Sequence, residues 1–313
     1  MAAPVHTRRI LVPLDGSDLA TIAIPWARAL ATPETEVVLF RAVPELAPMT
    51  ELAGAREYPA TRVFAHRLRD ADDYLADVKT ALHGVLPHVA TATGAGEAPD
   101  TILDAAEAQG VDLIVMATHG RGFTGRVVIG SVADRVARAS TVPVLLVHPA
   151  RGAGAAHVDD PVRVSRIVVP LDGSERARGA LSIAEALARQ IAAPIHLIRA
   201  LPTAEEIASQ RDSHDDMYYA EQAAAITDAL AEEAHKLSSG GLTVTGETVV
   251  GEPGQSIIGA TRKDDLIVMT SHGTGGVRRW LLGSVAERLL RSGAAPVLLV
   301  PVPERRRLVE AAR

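Results

Sequence analysis

Two stretches of this chain occur twice. Arg9-Ile10-Leu11-Val12-Pro13-Leu14-Asp15-Gly16-Ser17 returns as Arg166-Ile167-Val168-Val169-Pro170-Leu171-Asp172-Gly173-Ser174, and Asp112-Leu113-Ile114-Val115-Met116 returns as Asp265-Leu266-Ile267-Val268-Met269. When residues 112–147 are laid on 265–300 without a gap, more than half of the positions are identical. The offsets, 166 minus 9 and 265 minus 112, are domain-sized and far exceed the repeat of a solenoid. A chain of 313 residues, at roughly 150 per domain, accordingly reads as two copies of one fold. The copies span residues 1–150 and 164–301. Between them, residues 151–163 hold Arg151-Gly152-Ala153-Gly154-Ala155-Ala156 and Asp159-Asp160-Pro161, the composition of a linker. Residues 302–313 form a C-terminal tail.

Within each copy, short apolar runs alternate with helical patterns. The first copy reads as strands near 9–14, 36–42, 85–94, 112–118 and 143–147. Asp15-Gly16-Ser17-Asp18 reads as a turn with N-cap residues, and helices are expected after it to about Ala31, over 61–83, over 99–109 and over 131–139. The second copy repeats the order, with strands near 166–171, 194–200, 242–250, 265–271 and 296–300 and helices near 176–191, 215–238, 254–261 and 284–292. Continuous Val, Ile and Leu runs between helices indicate parallel strands covered on both faces. The expected fold is therefore two tandem α/β domains, each a five-stranded, doubly wound, Rossmann-like parallel sheet. Such sheets bind ligands beyond the carboxyl ends of their strands, where the strand order reverses. The last strands, Pro143–Val147 and Pro296–Val300, are candidates to pair the halves, because pairing removes two exposed edges.

Composition narrows the chemistry. Cysteine is absent, which excludes thiol catalysis, disulfides and thiolate metal sites. With 38 acids against 32 bases the formal charge is −6, which argues against binding to a nucleic-acid backbone. No apolar run reaches the length of a membrane span, and Met1–Arg9 lacks the apolar stretch of a signal peptide, so the expectation is a cytoplasmic protein.

The chemistry-bearing residues gather after the fourth strand of each copy. In the first, Ala117-Thr118-His119-Gly120 leads through a loop to Gly130-Ser131-Val132; in the second, Thr270-Ser271-His272-Gly273 leads to Gly283-Ser284-Val285. Each loop ends where a helix begins. Free N–H groups at a helix N-terminus attract an anion, glycine lets a ligand approach the backbone, and the serine hydroxyl can donate a further bond. Arg121, Arg126, Arg278 and Arg279 add charge in these loops. The sequence has neither a Walker-type GxxxxGK[ST] nor, in the first turn, GxGxxG. The same residues also fit a simple strand–loop–helix turn, and Asp15 and Asp172 fit turn chemistry. His119 and His272 lack partners at metal-ligand spacing. Tyr218 and Tyr219 open a helix and are candidates for the space between the halves, whereas Trp26 and Trp280 read as packing residues.

With the strand ending Val-Pro-Leu-Asp-Gly-Ser, the His-Gly, and the Gly-Ser ten residues later, both halves resemble the universal stress protein family. The resemblance covers nearly the whole chain and implies a tandem member whose domains bind adenine nucleotide or bind none, and pair through their last strands. It places Pro13 and Asp15, and Pro170 and Asp172, at the adenosine. Ala42 and Ala200 lie by the adenine. Met116 and Ala117 precede the first loop, and Met269 and Thr270 the second. Gly120, Gly130, Ser131 and Val132, with Gly273, Gly283, Ser284 and Val285, would serve the phosphates. The family motif has glycine where this chain has Ala117 and Thr270, and the β-branched Thr270 is expected either to obstruct a triphosphate or to bond to it. The resulting expectation is a stress-response regulatory protein that binds ATP, with Mg²⁺ carried on the nucleotide, and is not an enzyme beyond slow incidental hydrolysis. The alternatives are an interaction protein of the same fold with empty sites, or a binder of cyclic nucleotide. A homodimer is compatible with either reading.

Overall fold

The computed structural model describes residues 7–45, 60–118, 129–149, 161–201, 203, 205, 216–271 and 282–302. The first half contains β1 (Arg9–Pro13), α1 (Ala23–Leu30), β2 (Glu36–Val43), α2 (Ala60–Ala81), β3 (His88–Ala95), α3 (Ala98–Ala108), β4 (Leu113–Ala117), α4 (Ser131–Ala139) and β5 (Val144–Val147). The second half repeats them as β6 (Arg166–Pro170), α5 (Glu175–Ile191), β7 (Ile195–Leu201), α6 (Asp216–Ser238), β8 (Val244–Val250), α7 (Pro253–Ala260), β9 (Asp265–Thr270), α8 (Ser284–Ser292) and β10 (Val297–Val300). Each half is the expected parallel five-stranded sheet.

The two sheets are joined. Strand order runs β3-β2-β1-β4-β5-β10-β9-β6-β7-β8, one continuous sheet of ten strands. Every neighbouring pair is parallel except β5 and β10, which pair antiparallel with Leu298 opposite Leu145. This is the pairing expected of the last strands, and among the described strands it leaves β3 and β8 as the edges.

Because side chains alternate along a strand, the sheet has two apolar faces. Ile10, Val12, Val115, Leu145, Ile167, Val268 and Leu298 face a layer built on α1, α2, α5 and α6. Leu11, Ile114, Met116, Leu146, Val168, Met269 and Leu299 face the layer of α3, α4, α7 and α8. Each of these cores runs through both halves. On the first face a polar contact also crosses the seam, where the Gln190 side-chain amide on α5 donates to the Leu30 carbonyl that ends α1 (2.6 Å).

Two sequence expectations are corrected. The first α-helix does not begin directly after the Asp15–Asp18 turn: residues Ala20–Ile22 form a 3₁₀ turn and the α-helix starts at Ala23. Proline lacks an N–H and is tolerated only in a helix's first turn, so Pro25 sets the start there. In the second half, where Ser182 takes that place, the helix starts at Glu175. The third strand starts at His88 rather than Val85. Gly84, with φ of 82°, ends the helical run, and the amides of Val85 and Leu86 still bond back to the Leu82 carbonyl. No helix among the described residues is long and apolar enough to cross a membrane.

Candidate functional site

In each half the chain leaves the first strand to one side and the fourth strand flanks it on the other, so the strand order reverses between β1 and β4 and between β6 and β9. The carboxyl ends of these strands frame the two crevices. Pro13 and Pro170 are buried at the strand ends, and the next amides, Leu14 and Leu171, bond to Phe40 and Ile198 carbonyls (2.7 and 2.8 Å). The chain then turns. In the first half, the Asp15 carboxylate accepts from the Ser17 amide (2.9 Å) and the Ser17 hydroxyl (2.6 Å). In the second, the Asp172 carboxylate accepts from the Ser174 amide (2.9 Å), and the Ser174 hydroxyl caps α5 through the Ala177 amide (3.1 Å). Gly16 and Gly173 have φ of 85° and 84°, the left-handed conformation these turns require. The turn chemistry proposed for both aspartates is present. Asp15 is half-buried, whereas Asp172 is exposed.

The neighbouring strands differ between the halves. Ala42 on β2 stands opposite Gly94 on β3. A Cβ at Gly94 would lie 2.4 Å from the Thr101 methyl and 2.8 Å from the Phe40 ring, so the first wall is closed by close packing. Ala200 on β7 instead faces Val249 on β8. The Arg199 guanidinium lies over Gly173, within 2.6 Å of where a Cβ would stand. It also borders a cavity of about 20 Å³ together with Arg178 and Glu233.

The fourth strands end alike. Met116 and Met269 point toward the layer of α4 and α8, and Ala117 points the opposite way. Thr270 is buried, and its methyl is directed at α5, 3.7 Å from the Cβ position of Gly179. Its methyl thus lies on the sheet face opposite the one that carries Met269.

Beyond the strands, Thr118 and Ser271 close the loop bases in matching fashion. Their amides donate to the Val147 and Val300 carbonyls (2.9 and 3.1 Å), and their carbonyls accept from the Gly130 and Gly283 amides (2.7 and 2.9 Å). Sequence reasoning missed these residues, because a main-chain bond leaves no mark in residue type. Gly120, Gly273, His119, His272 and the four loop arginines lie outside the described residues.

Gly130 and Gly283 are the N-caps of α4 and α8, and neither helix has a side-chain cap bond. Their φ of −63° and −62°, with ψ of 147°, suit any residue, so backbone conformation does not demand glycine there. The first-turn amides, from Ser131 and Val132 and from Ser284 and Val285, have no acceptor within their own helix. Both serines are exposed. The helices are clamped from the side: Arg135 on α4 reaches both oxygens of Asp100 on α3 (2.8 Å each), and Arg288 on α8 reaches Glu252 at the start of α7. The predicted space between the halves does not involve Tyr219. Its helix, α6, lies over β7 and β8 at the far edge of the sheet.

The profile of the Universal stress protein family matches residues 6–148 and again 163–301. The chain belongs to the universal stress protein family. A universal stress protein of Mycolicibacterium smegmatis is 25% identical over 304 residues, spanning 93% of this chain and 96% of the relative, so the tandem arrangement is shared. A single-domain relative, universal stress protein MJ0577 of Methanocaldococcus jannaschii, is 28% identical over 157 residues, covering 46% of this chain and 96% of its own length. Among solved structures, a universal stress protein from Archaeoglobus fulgidus superposes with a TM-score of 0.64 at 18% identity, covering 95% of this chain and all of the other, which shows the common fold.

Proposed function

We propose that this universal stress protein is a cytoplasmic regulatory protein that binds adenine nucleotide, ATP with Mg²⁺ carried on its phosphates, in the strand-end crevice of each half. The observation that carries this reading is the pair of helix starts at Gly130-Ser131 and Gly283-Ser284. A serine, aspartate or asparagine at the N-cap would stabilise each helix by only about a few tenths of a kcal/mol over glycine, and unlike glycine would set a side chain over the first-turn amides. The sequence instead places glycine, at a φ that does not need it, and among the described residues no side chain caps these helix starts. Backbone N–H groups, an exposed hydroxyl and the positive end of a helix form a donor set suited to phosphate oxygens. The Gly130 and Gly283 amides are committed to the loop bases, so the phosphate donors are assigned to Ser131, Val132, Ser284 and Val285. The reading is of binding rather than turnover.

The test is calorimetric titration of nucleotide-stripped protein with ATP and Mg²⁺. Wild type should bind about two equivalents. Gly130→Asp adds a good helix cap and a negative charge where phosphate would sit. It should leave the urea midpoint unchanged or raised and remove one equivalent; Gly283→Asp should remove the other. Binding of cyclic AMP but not ATP would point to a single-phosphate ligand. Absence of any nucleotide heat would leave the interaction-protein reading. Unchanged stoichiometry in both variants would refute the assignment of the helix starts.

A further inference from the structure

The two halves differ most sharply in the strand beside each sheet edge. In the first half, Val38 on β2 is almost wholly buried opposite Ala90, with Ala92 two residues on, all packed into one apolar core. At the corresponding places the second half has His196 on β7, opposite Thr245, with Glu247 two residues on. His196 is 7% exposed. Its Nδ1 lies 2.7 Å from the Thr245 hydroxyl and its Nε2 lies 3.1 Å from a Glu247 carboxylate oxygen. One imidazole thus ties β7 to two successive residues of one face of β8. That strand is an edge, mostly solvent-exposed, and its last residue, Val250, is 58% exposed.

We propose that the His196–Thr245–Glu247 cluster is an acid-sensitive latch on the edge of the second half: mild acidification unlatches β8, while β3, its counterpart in the first half, stays closed. The charges around the imidazole set the sign. From β6 comes Arg166, whose guanidinium holds the fully buried Asp265 of β9 (2.8 and 3.1 Å) and the Ala260 carbonyl at the end of α7 (2.7 Å). From β8 comes the Glu247 carboxylate. Helix α7, which packs over this face, has no titratable side chain; Arg262 and Lys263 follow it, and Arg199 on β7 itself points to the opposite face. Burial, followed by the positive charge of Arg166, holds the His196 pKa below its ordinary value, against the opposing pull of Glu247 and Asp265. A lowered histidine pKa favours the closed state at neutral and higher pH. That contribution is lost as pH falls from the solvent-exposed value of about 6.5 toward the value in the closed strand, because the open form binds the proton more tightly. Edge strands open at the low end of the local stability range, so the loss falls on β8 before the core.

Hydrogen exchange of the full chain at pH 7.5 and pH 5.5, corrected for intrinsic exchange, tests this. In wild type, amides of β8 should show protection lowered about threefold or more at pH 5.5, with β3 unchanged. His196→Gln, which retains hydrogen bonds but does not titrate, should abolish the pH effect, and His196→Val, which copies the first half, should do the same if it folds. Glu247→Gln removes a group that favours the charged imidazole and should enlarge the effect. Protection of β8 that does not change with pH, or that changes equally in wild type and His196→Gln, would overturn the proposal.

Discussion

Asp15 and Asp172 each brace a turn just beyond the carboxyl ends of β1 and β6, where the proposed ligand would sit. Asp15 accepts from the Ser17 amide and hydroxyl, and Asp172 accepts from the Ser174 amide. At about 1 kcal/mol net for each bond, Asp15→Ala and Asp172→Ala should each cost roughly 1–2 kcal/mol, read as urea midpoints. If Asp15 also meets adenosine, Asp15→Ala must weaken ATP binding at the first site while the fold persists. A stability loss with unchanged ATP affinity would confine the residue to its turn. The candidate site was legible at this scale where turn and cap chemistry is written in residue type: Asp15, Asp172, Gly130 and Gly283. It was not legible where main-chain groups act. Thr118 and Ser271 close the loops through carbonyls, and any residue has a carbonyl. His196, Thr245 and Glu247 were equally hidden, because they meet only through the register of two strands.

At the scale of elements, apolar periodicity located the strands and helices to within a few residues, since strands buried on both faces are continuous runs. The misplaced start of α1 came from weighting Asp-Gly-Ser-Asp as cap chemistry above the constraint from Pro25. The second half shows what the same turn does without that proline: Ser174 becomes a true N-cap, and the helix gains more than two turns of length over α1. Ser174→Ala should therefore destabilise by about 1 kcal/mol, and Ser174→Gly by only a few tenths, because glycine is itself an acceptable N-cap. No loss in either variant would mean that the hydroxyl's bond to the Ala177 amide contributes nothing. Helices α4 and α8 follow another design. Their starts lack a side-chain cap, and their hold on the fold comes from buried Val136 and Ala137, or Leu289 and Leu290, and from arginine clamps to α3 and α7.

The whole molecule is more than two domains on a string. The repeat made two copies certain, and edge-strand reasoning pointed to Pro143–Val147 and Pro296–Val300, but side-chain pattern alone does not reveal that the apolar faces merge across the seam. Leu145 and Leu298 lie directly opposite one another, are essentially unexposed, and belong to the same core as Val12 of the first half and Val169 of the second. Unfolding one half would therefore strip cover from the other. Full-length protein should unfold in a single urea transition. Leu145→Ala and Leu298→Ala should each cost about 2–5 kcal/mol, as expected for a buried leucine that leaves a cavity. Because the two side chains share one site, their effects should not add: the double variant should differ from the sum by about 0.5 kcal/mol or more. Two separate transitions in wild type, or strict additivity in the cycle, would mean that the halves are stable independently and that the seam only tethers them. A coupled result would make the ten-stranded sheet the folding unit, and a ligand that stabilised either crevice would then raise the stability of both halves at once.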